Sequence, residues 1–105
     1  MTLGELYAEL EQLREQRRRL DLSSPESLAA RAEVFAAEAP VWASLPTTSD
    51  FRDLPISARL LLIVASVAAE DRAAERADTW RKHGRRLAEQ RDRTAEQDGS
   101  AEAVA

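Results

Sequence analysis

The sequence predicts an all-α fold: a small helical bundle of three main helices, with the third helix long and projecting. Ala, Arg and Glu supply 20, 14 and 12 of the 105 residues, a composition typical of helices, in which Ala is the most favourable residue. Of the 26 large apolar residues, 23 lie at or before Val67. We therefore expect one domain over 1–97, with a compact part over about 1–70 and a projecting helix over about 70–97.

The first helix is predicted over about 2–21. Thr2 and Glu5 have the spacing of a capping box. A seam of leucines at three- and four-residue spacing follows along this helix, and Arg17 occupies the next position of the seam. Such seams pair helices, so we expect self-association through Leu3, Leu6, Leu10, Leu13 and Arg17.

The second helix is predicted over about 25–39. Ser23 or Ser24 is suited to cap it, Pro25 suits its first turn, and Pro40 should end or kink it. The connection that follows, over 40–55, is too rich in bulky apolar residues for a linker. We expect it to fold over the core and to include a helical turn at about 41–45.

The third helix is predicted over about 54–96, with a disordered tail over 98–105. Residues 60–69 are apolar on both sides of this helix, so they must be covered nearly all round. The first two helices, or a second subunit, would cover them. A homodimer is the simplest solution, and we expect Leu61 and Leu62 to contribute to it. Asp71 and Asp78 continue the bulky face, where either is a candidate partner for Arg17.

A basic amphipathic segment over 81–93 is the sharpest local feature. A phosphate backbone, an anionic membrane surface or the groove of a partner protein would each fit it. An ordinary solvated helix, with its aromatic residue packed inside the bundle, is the plain alternative. We expect an unidentified protein partner to contact Trp80, Arg81, Arg85, Arg86 and Leu87.

Catalytic, metal and cofactor motifs do not emerge from this sequence. It has no Cys, which excludes thiolate chemistry and Cys-ligated metals, and His83 is its one histidine. The longest apolar run, 60–69, is short of the roughly 20 residues of a membrane span. The start lacks the regions of a signal peptide, so we expect a cytoplasmic protein.

The function favoured by these observations is a non-enzymatic, oligomeric protein-interaction module, such as an adaptor, assembly factor or inhibitor. The alternative is a small nucleic-acid-binding regulator that uses the basic face over 81–93 together with the Arg17–Arg19 cluster. A net charge of −4 argues against general affinity for nucleic acid, although a local basic patch is compatible with it.

Overall fold

Three α-helices form the fold, as the sequence predicts. The computed structural model describes residues 1–104, with side chains described for residues 1–98. The helices are α1 (Leu3–Arg18), α2 (Pro25–Ala43) and α3 (Ile56–Val104). Two short 3₁₀ turns, η1 (Leu45–Thr47) and η2 (Phe51–Asp53), lie between α2 and α3. Within the described residues the chain contains no strand, and the all-α prediction is confirmed.

The predicted capping residues begin the first two helices. The Thr2 hydroxyl accepts a hydrogen bond from the Glu5 backbone N–H at 3.1 Å, and Ser24 does the same for the Ser27 N–H at 3.1 Å. Each bond satisfies one of the backbone donors that a helix start leaves unpaired. Pro25 then occupies the first turn of α2, where its missing N–H costs nothing.

The helix ends differ from the sequence prediction. Pro40 does not end α2, which continues to Ala43, because a proline removes one hydrogen bond while the neighbouring bonds still hold the turn. The helical turn predicted at about 41–45 coincides with the end of α2 and the start of η1. α1 ends earlier, at Arg18, and α3 runs to Val104. The disordered tail remains a prediction, because the side chains of residues 99–104 and all of residue 105 lie outside the described residues.

A small apolar core lies where α1, the end of α2 and the two 3₁₀ turns meet. Its buried residues are Leu6, Val41, Leu45 and Phe51, and Leu3, Leu10, Leu13, Trp42, Leu54 and Leu62 pack against it. The Leu3 N–H donates to the Asp50 carboxylate at 2.8 Å, which ties the start of α1 to the connection. The prediction that the connection folds over the core is therefore confirmed.

α2 lies antiparallel along α3, from about Ala69 to Arg91. Glu26 pairs with Arg91 at 2.9 Å and Glu33 pairs with Arg81 at 3.7 Å. Residue numbers along α3 therefore decrease as those along α2 increase. Gly84 sits close to the α2 backbone, and Ala73 and Ala77 are each only 3% exposed. These small residues on α3 let the two helix backbones approach closely.

This packing corrects the expectation that the first two helices cover the first half of helix three while its second half projects. α2 covers the second half at least as far as Arg91. α3 has 49 residues, and at about 1.5 Å per residue it accounts for the longest dimension of the molecule, 74 Å. The radius of gyration is 19.9 Å, against about 13 Å for a compact chain of this size. Much of α3 therefore has only one neighbour.

Candidate interaction surfaces

A row of large apolar side chains on the first half of α3 lies in solvent. We call it the α3 apolar face, and it consists of Ile56, Leu60, Leu61, Ile63, Val64 and Val67. Ile63 is 38% exposed and the other five are between 52% and 72% exposed. Leu62 and Ser66, in contrast, turn inward. A contiguous patch of large apolar side chains is often functional, and it marks this face as a candidate interaction site.

The spacing within this face is that of a helix-packing seam. Ile56, Leu60, Ile63 and Val67 follow one another at intervals of four, three and four residues, which keeps them on one side of a helix. Asp71 and Asp78 continue the same side and are exposed. The face therefore changes from apolar to acidic toward the middle of α3.

The leucine seam of α1 is occupied within the subunit. Leu6 is 3% exposed, and Leu3, Leu10 and Leu13 pack against the core. Leu62 also packs against that core, whereas Leu61 is 72% exposed. Of the residues predicted for self-association, Leu61 alone has a large side chain that is mostly available to a second copy.

Arg17 pairs within the subunit with Glu38, at 3.2 Å, rather than with Asp71 or Asp78. Its guanidinium also lies 4.3 Å from the centre of the Phe35 ring. The reason is that α1 packs on α2, so that Arg17 reaches an α2 carboxylate. Burial lowers the pKa of Arg17, and the Glu38 carboxylate acts in the opposite direction.

Asp78 forms its own ion pair, with Lys82 at 2.8 Å. The hydrogen bond from Lys82 lowers the pKa of Asp78. Both side chains are more than half exposed, so this pair contributes little to stability.

The aromatic side of the basic segment faces α2. Trp80 and Leu87 line one shallow groove together with Leu28, and both are half-buried. The Arg31 guanidinium lies 4.6 Å from the centre of the Trp80 ring. This placement agrees with the plain alternative, an aromatic residue packed inside the bundle. It leaves only part of each side chain for an external partner.

Acidic neighbours neutralise much of the basic side. Arg81 pairs with Glu33, and Arg91 with Glu26. Lys82 and Arg93 pair with carboxylates one turn earlier on α3. Arg85 and Arg86 are exposed and have no ion pair among the residues the structure describes. Of the five residues predicted for partner binding, these two are the most available.

The described part of the chain has no cluster of side chains suited to hold a metal ion. No three His, Asp or Glu side chains cluster there as metal ligands would. His83 is exposed and its ring centre lies 5.7 Å from that of Trp80. None of the described helices has a stretch apolar enough, over sufficient length, to span a membrane.

Comparison of the chain with protein-family models, with curated proteins and with solved structures finds no match.

Proposed function

We propose that the protein is a non-enzymatic interaction module of the cytoplasm, acting as an adaptor, assembly factor or inhibitor, and that it works as a homodimer. The second copy covers the α3 apolar face. The observation that carries this proposal is the row of exposed Leu, Ile and Val side chains at helix-packing spacing. Full burial of a Leu, Ile or Val side chain contributes about 1.5–3 kcal/mol of free energy relative to leaving it in water. A second copy that covers this face would gain part of that free energy for each side chain.

The size of the face is adequate for a modest dimer. The burial free energy of such side chains converts to area at about 25 cal/mol per Å². On that scale the exposed parts of the six side chains amount to roughly 200–400 Å² of apolar surface per copy. An interface of standard size takes about 800 Å² from each partner, a little over half of it apolar. The α3 apolar face thus supplies roughly half or more of the apolar part of such an interface.

Charge favours an antiparallel arrangement of the two α3 helices. A parallel pair would place Asp71 against Asp71 and Asp78 against Asp78, and like charges that face each other are destabilising. An antiparallel pair centred near Val64 would instead place Asp71 beside Ile56 of the second copy. That position is the start of α3, where the helix dipole favours a negative charge.

Single cysteines test both the interface and its direction, because the chain has no Cys of its own. Under mild oxidation, Val64→Cys is expected to form a disulfide between two copies. Ile56→Cys is expected to stay unlinked, because the two residues would lie about 24 Å apart along an antiparallel pair at about 1.5 Å per residue. Ala65→Cys, exposed on another side of α3, is the control. Equal cross-linking at all three positions would contradict the proposed interface. Cross-linking of Val64→Cys and Ile56→Cys, but not of Ala65→Cys, would indicate a parallel pair.

Nucleic-acid binding through the basic segment has less support, because acidic partners neutralise four of its basic side chains. If it occurs, affinity should fall steeply with salt as counterions are released. It should also be lost in the Arg85→Glu, Arg86→Glu double variant, because these two side chains are the ones left without a carboxylate in the described residues.

A further inference from the structure

A polar cleft lies where α1, α2 and α3 meet. Its volume is about 190 Å³. Arginines converge on it from two helices, Arg14 and Arg17 from α1 and Arg72 and Arg76 from α3. The small side chains of Ala69 and Ala73 leave the space open between them. We call this the arginine cleft.

Positive charge in the arginine cleft exceeds negative charge. Glu38 is its one acidic lining residue, against four guanidinium groups, although the whole chain carries a net charge of −4. Glu38 pairs with Arg17, and Arg14 pairs with Glu11 at its rim. In the part of the chain described by the structure, neither Arg72 nor Arg76 forms an ion pair.

Arg17, which lines the cleft, also has a buried donor behind the cleft surface, as do Arg31 and Arg59 elsewhere. The Nε atom of Arg17 is inaccessible to solvent and has no hydrogen-bond acceptor in the described structure. Burial lowers the pKa of Arg17, the Glu38 carboxylate acts in the opposite direction, and Arg31, Arg14 and Arg76 lower it further by repulsion. Four guanidinium groups with a single carboxylate among them give the cleft a local excess of positive charge, which an anion would reduce.

We propose that the arginine cleft binds a small oxyanion of the phosphate type. Guanidinium groups present planar pairs of N–H donors that match the oxygens of phosphate. Binding sites for drug-sized molecules occupy about 300–1,000 Å³, so a cleft of about 190 Å³ selects a compact anion. Two rotatable, exposed side chains, Arg72 and Arg76, close on it from α3, while Arg17 is held in place by Glu38.

This proposal is independent of the dimer. At 100° per residue the cleft residues of α3, Arg72 and Arg76, lie on roughly the opposite side of that helix from Leu60 and Val67. A monomeric protein would leave the anion site intact, and a dimer without anion affinity would leave the α3 apolar face intact. The two proposals therefore fail separately.

Isothermal titration with inorganic phosphate at constant ionic strength, balanced with chloride, tests the site. We expect one phosphate per chain, and binding weakened about tenfold or more in the Arg72→Gln, Arg76→Gln variant, since each lost hydrogen bond involves two charged groups. The Arg52→Gln, Arg93→Gln variant removes the same charge elsewhere and should bind as the wild type does. Circular dichroism checks that both variants stay helical.

Glu38→Gln gives a second, opposite readout. It removes the only carboxylate lining the cleft, so phosphate affinity should rise although the free protein becomes less stable. Titration with glycerol phosphate in parallel distinguishes free phosphate from a phosphate ester as the source of the anion. Absence of saturable binding for both ligands would overturn the proposal. Equal weakening in the two double variants would do the same, because it would indicate only a general effect of charge.

Discussion

Substitutions at Gly84 test the pairing of α2 with α3. A Cβ atom placed at Gly84 would lie 3.4 Å from the Pro25 carbonyl oxygen, 3.5 Å from the Leu28 Cβ and 3.6 Å from the Ala29 nitrogen. These are ordinary contact distances, and they leave no room for atoms beyond Cβ in that direction. One methyl group therefore fits between the helices, whereas a larger side chain must either push them apart or bend away into the open groove beside Gly84.

The magnitudes follow from this geometry. Gly84→Ala should stabilise the protein by about 1 kcal/mol, because Ala is that much more favourable than Gly inside a helix. For a domain near this size the corresponding rise in Tm is about 4–8 °C. Gly84→Leu gains similar helix propensity, yet overpacking between two helices costs about 1–3 kcal/mol. Leu should thus be less stable than Ala at this position.

Gly4 provides a matched control, since a Cβ there meets only the Thr2 hydroxyl oxygen, at 3.8 Å. Ala and Leu at Gly4 should have nearly equal stability. Urea unfolding followed by circular dichroism measures all four variants, and the difference between Leu and Ala at each position is the quantity to compare. If Leu were as stable as Ala at Gly84 too, α2 would not lie against this part of α3, and the projecting arm expected from the sequence would be restored.

Two further predictions concern ion pairs. Glu38→Gln should lower the free energy of unfolding by about 1–3 kcal/mol, because it leaves the largely buried Arg17 with a neutral partner; chemical denaturation measures this, and an unchanged stability would contradict the pairing. Hydrogen bonding from Arg91 lowers the pKa of Glu26, so the stabilisation from this pair is present above the ordinary Glu pKa and is lost as pH falls through the lowered one. In Arg91→Gln the pKa of Glu26 should rise toward its ordinary value, as an NMR titration of the side-chain carboxyl carbon can follow; a Glu26 pKa that did not move would show that the pair is not formed in solution.

Local signals in the sequence predict the helix starts and the role of the connection well. Thr2 and Ser24 cap helices wherever the rest of the chain lies, since a cap involves only neighbouring residues. The bulky residues of the connection, such as Phe51, had to be buried somewhere near their helices. These features depend on short stretches of chain, and the structure has them where the sequence indicates.

The choice of which half of α3 is covered depends on tertiary contacts that the sequence does not specify. A helical wheel displays the bulky residues, such as Leu60 and Val64, and the small ones, such as Ala73 and Gly84, without saying which set faces α2. Hydrophobicity favours the bulky set, whereas close approach of two backbones favours the small set. The structure follows close approach, and so the bulky set remains exposed.

The arginine cleft was beyond sequence reasoning for a related reason. Arg14 with Arg17, and Arg72 with Arg76, are each ordinary helical spacings in an arginine-rich chain. Only the packing of three helices brings the two pairs to one place. The burial of Arg17 against Glu38 likewise requires knowing that α1 packs on α2.

Absolute mass in solution, measured by light scattering on a sizing column, tests the homodimer most directly. Elution volume alone would not do so, because an elongated monomer and a compact dimer elute alike. The wild type should have twice the chain mass of 11.7 kDa, and the Leu60→Glu, Val64→Glu variant should have the mass of one chain. Tyr7→Glu, Leu22→Glu alters two exposed apolar residues elsewhere and should remain dimeric. Weaker interfaces of standard size have micromolar affinities. A wild-type monomer at about 100 μM would therefore rule out the proposed homodimer, and a dimer that survives the substitutions would rule out the α3 apolar face as its interface.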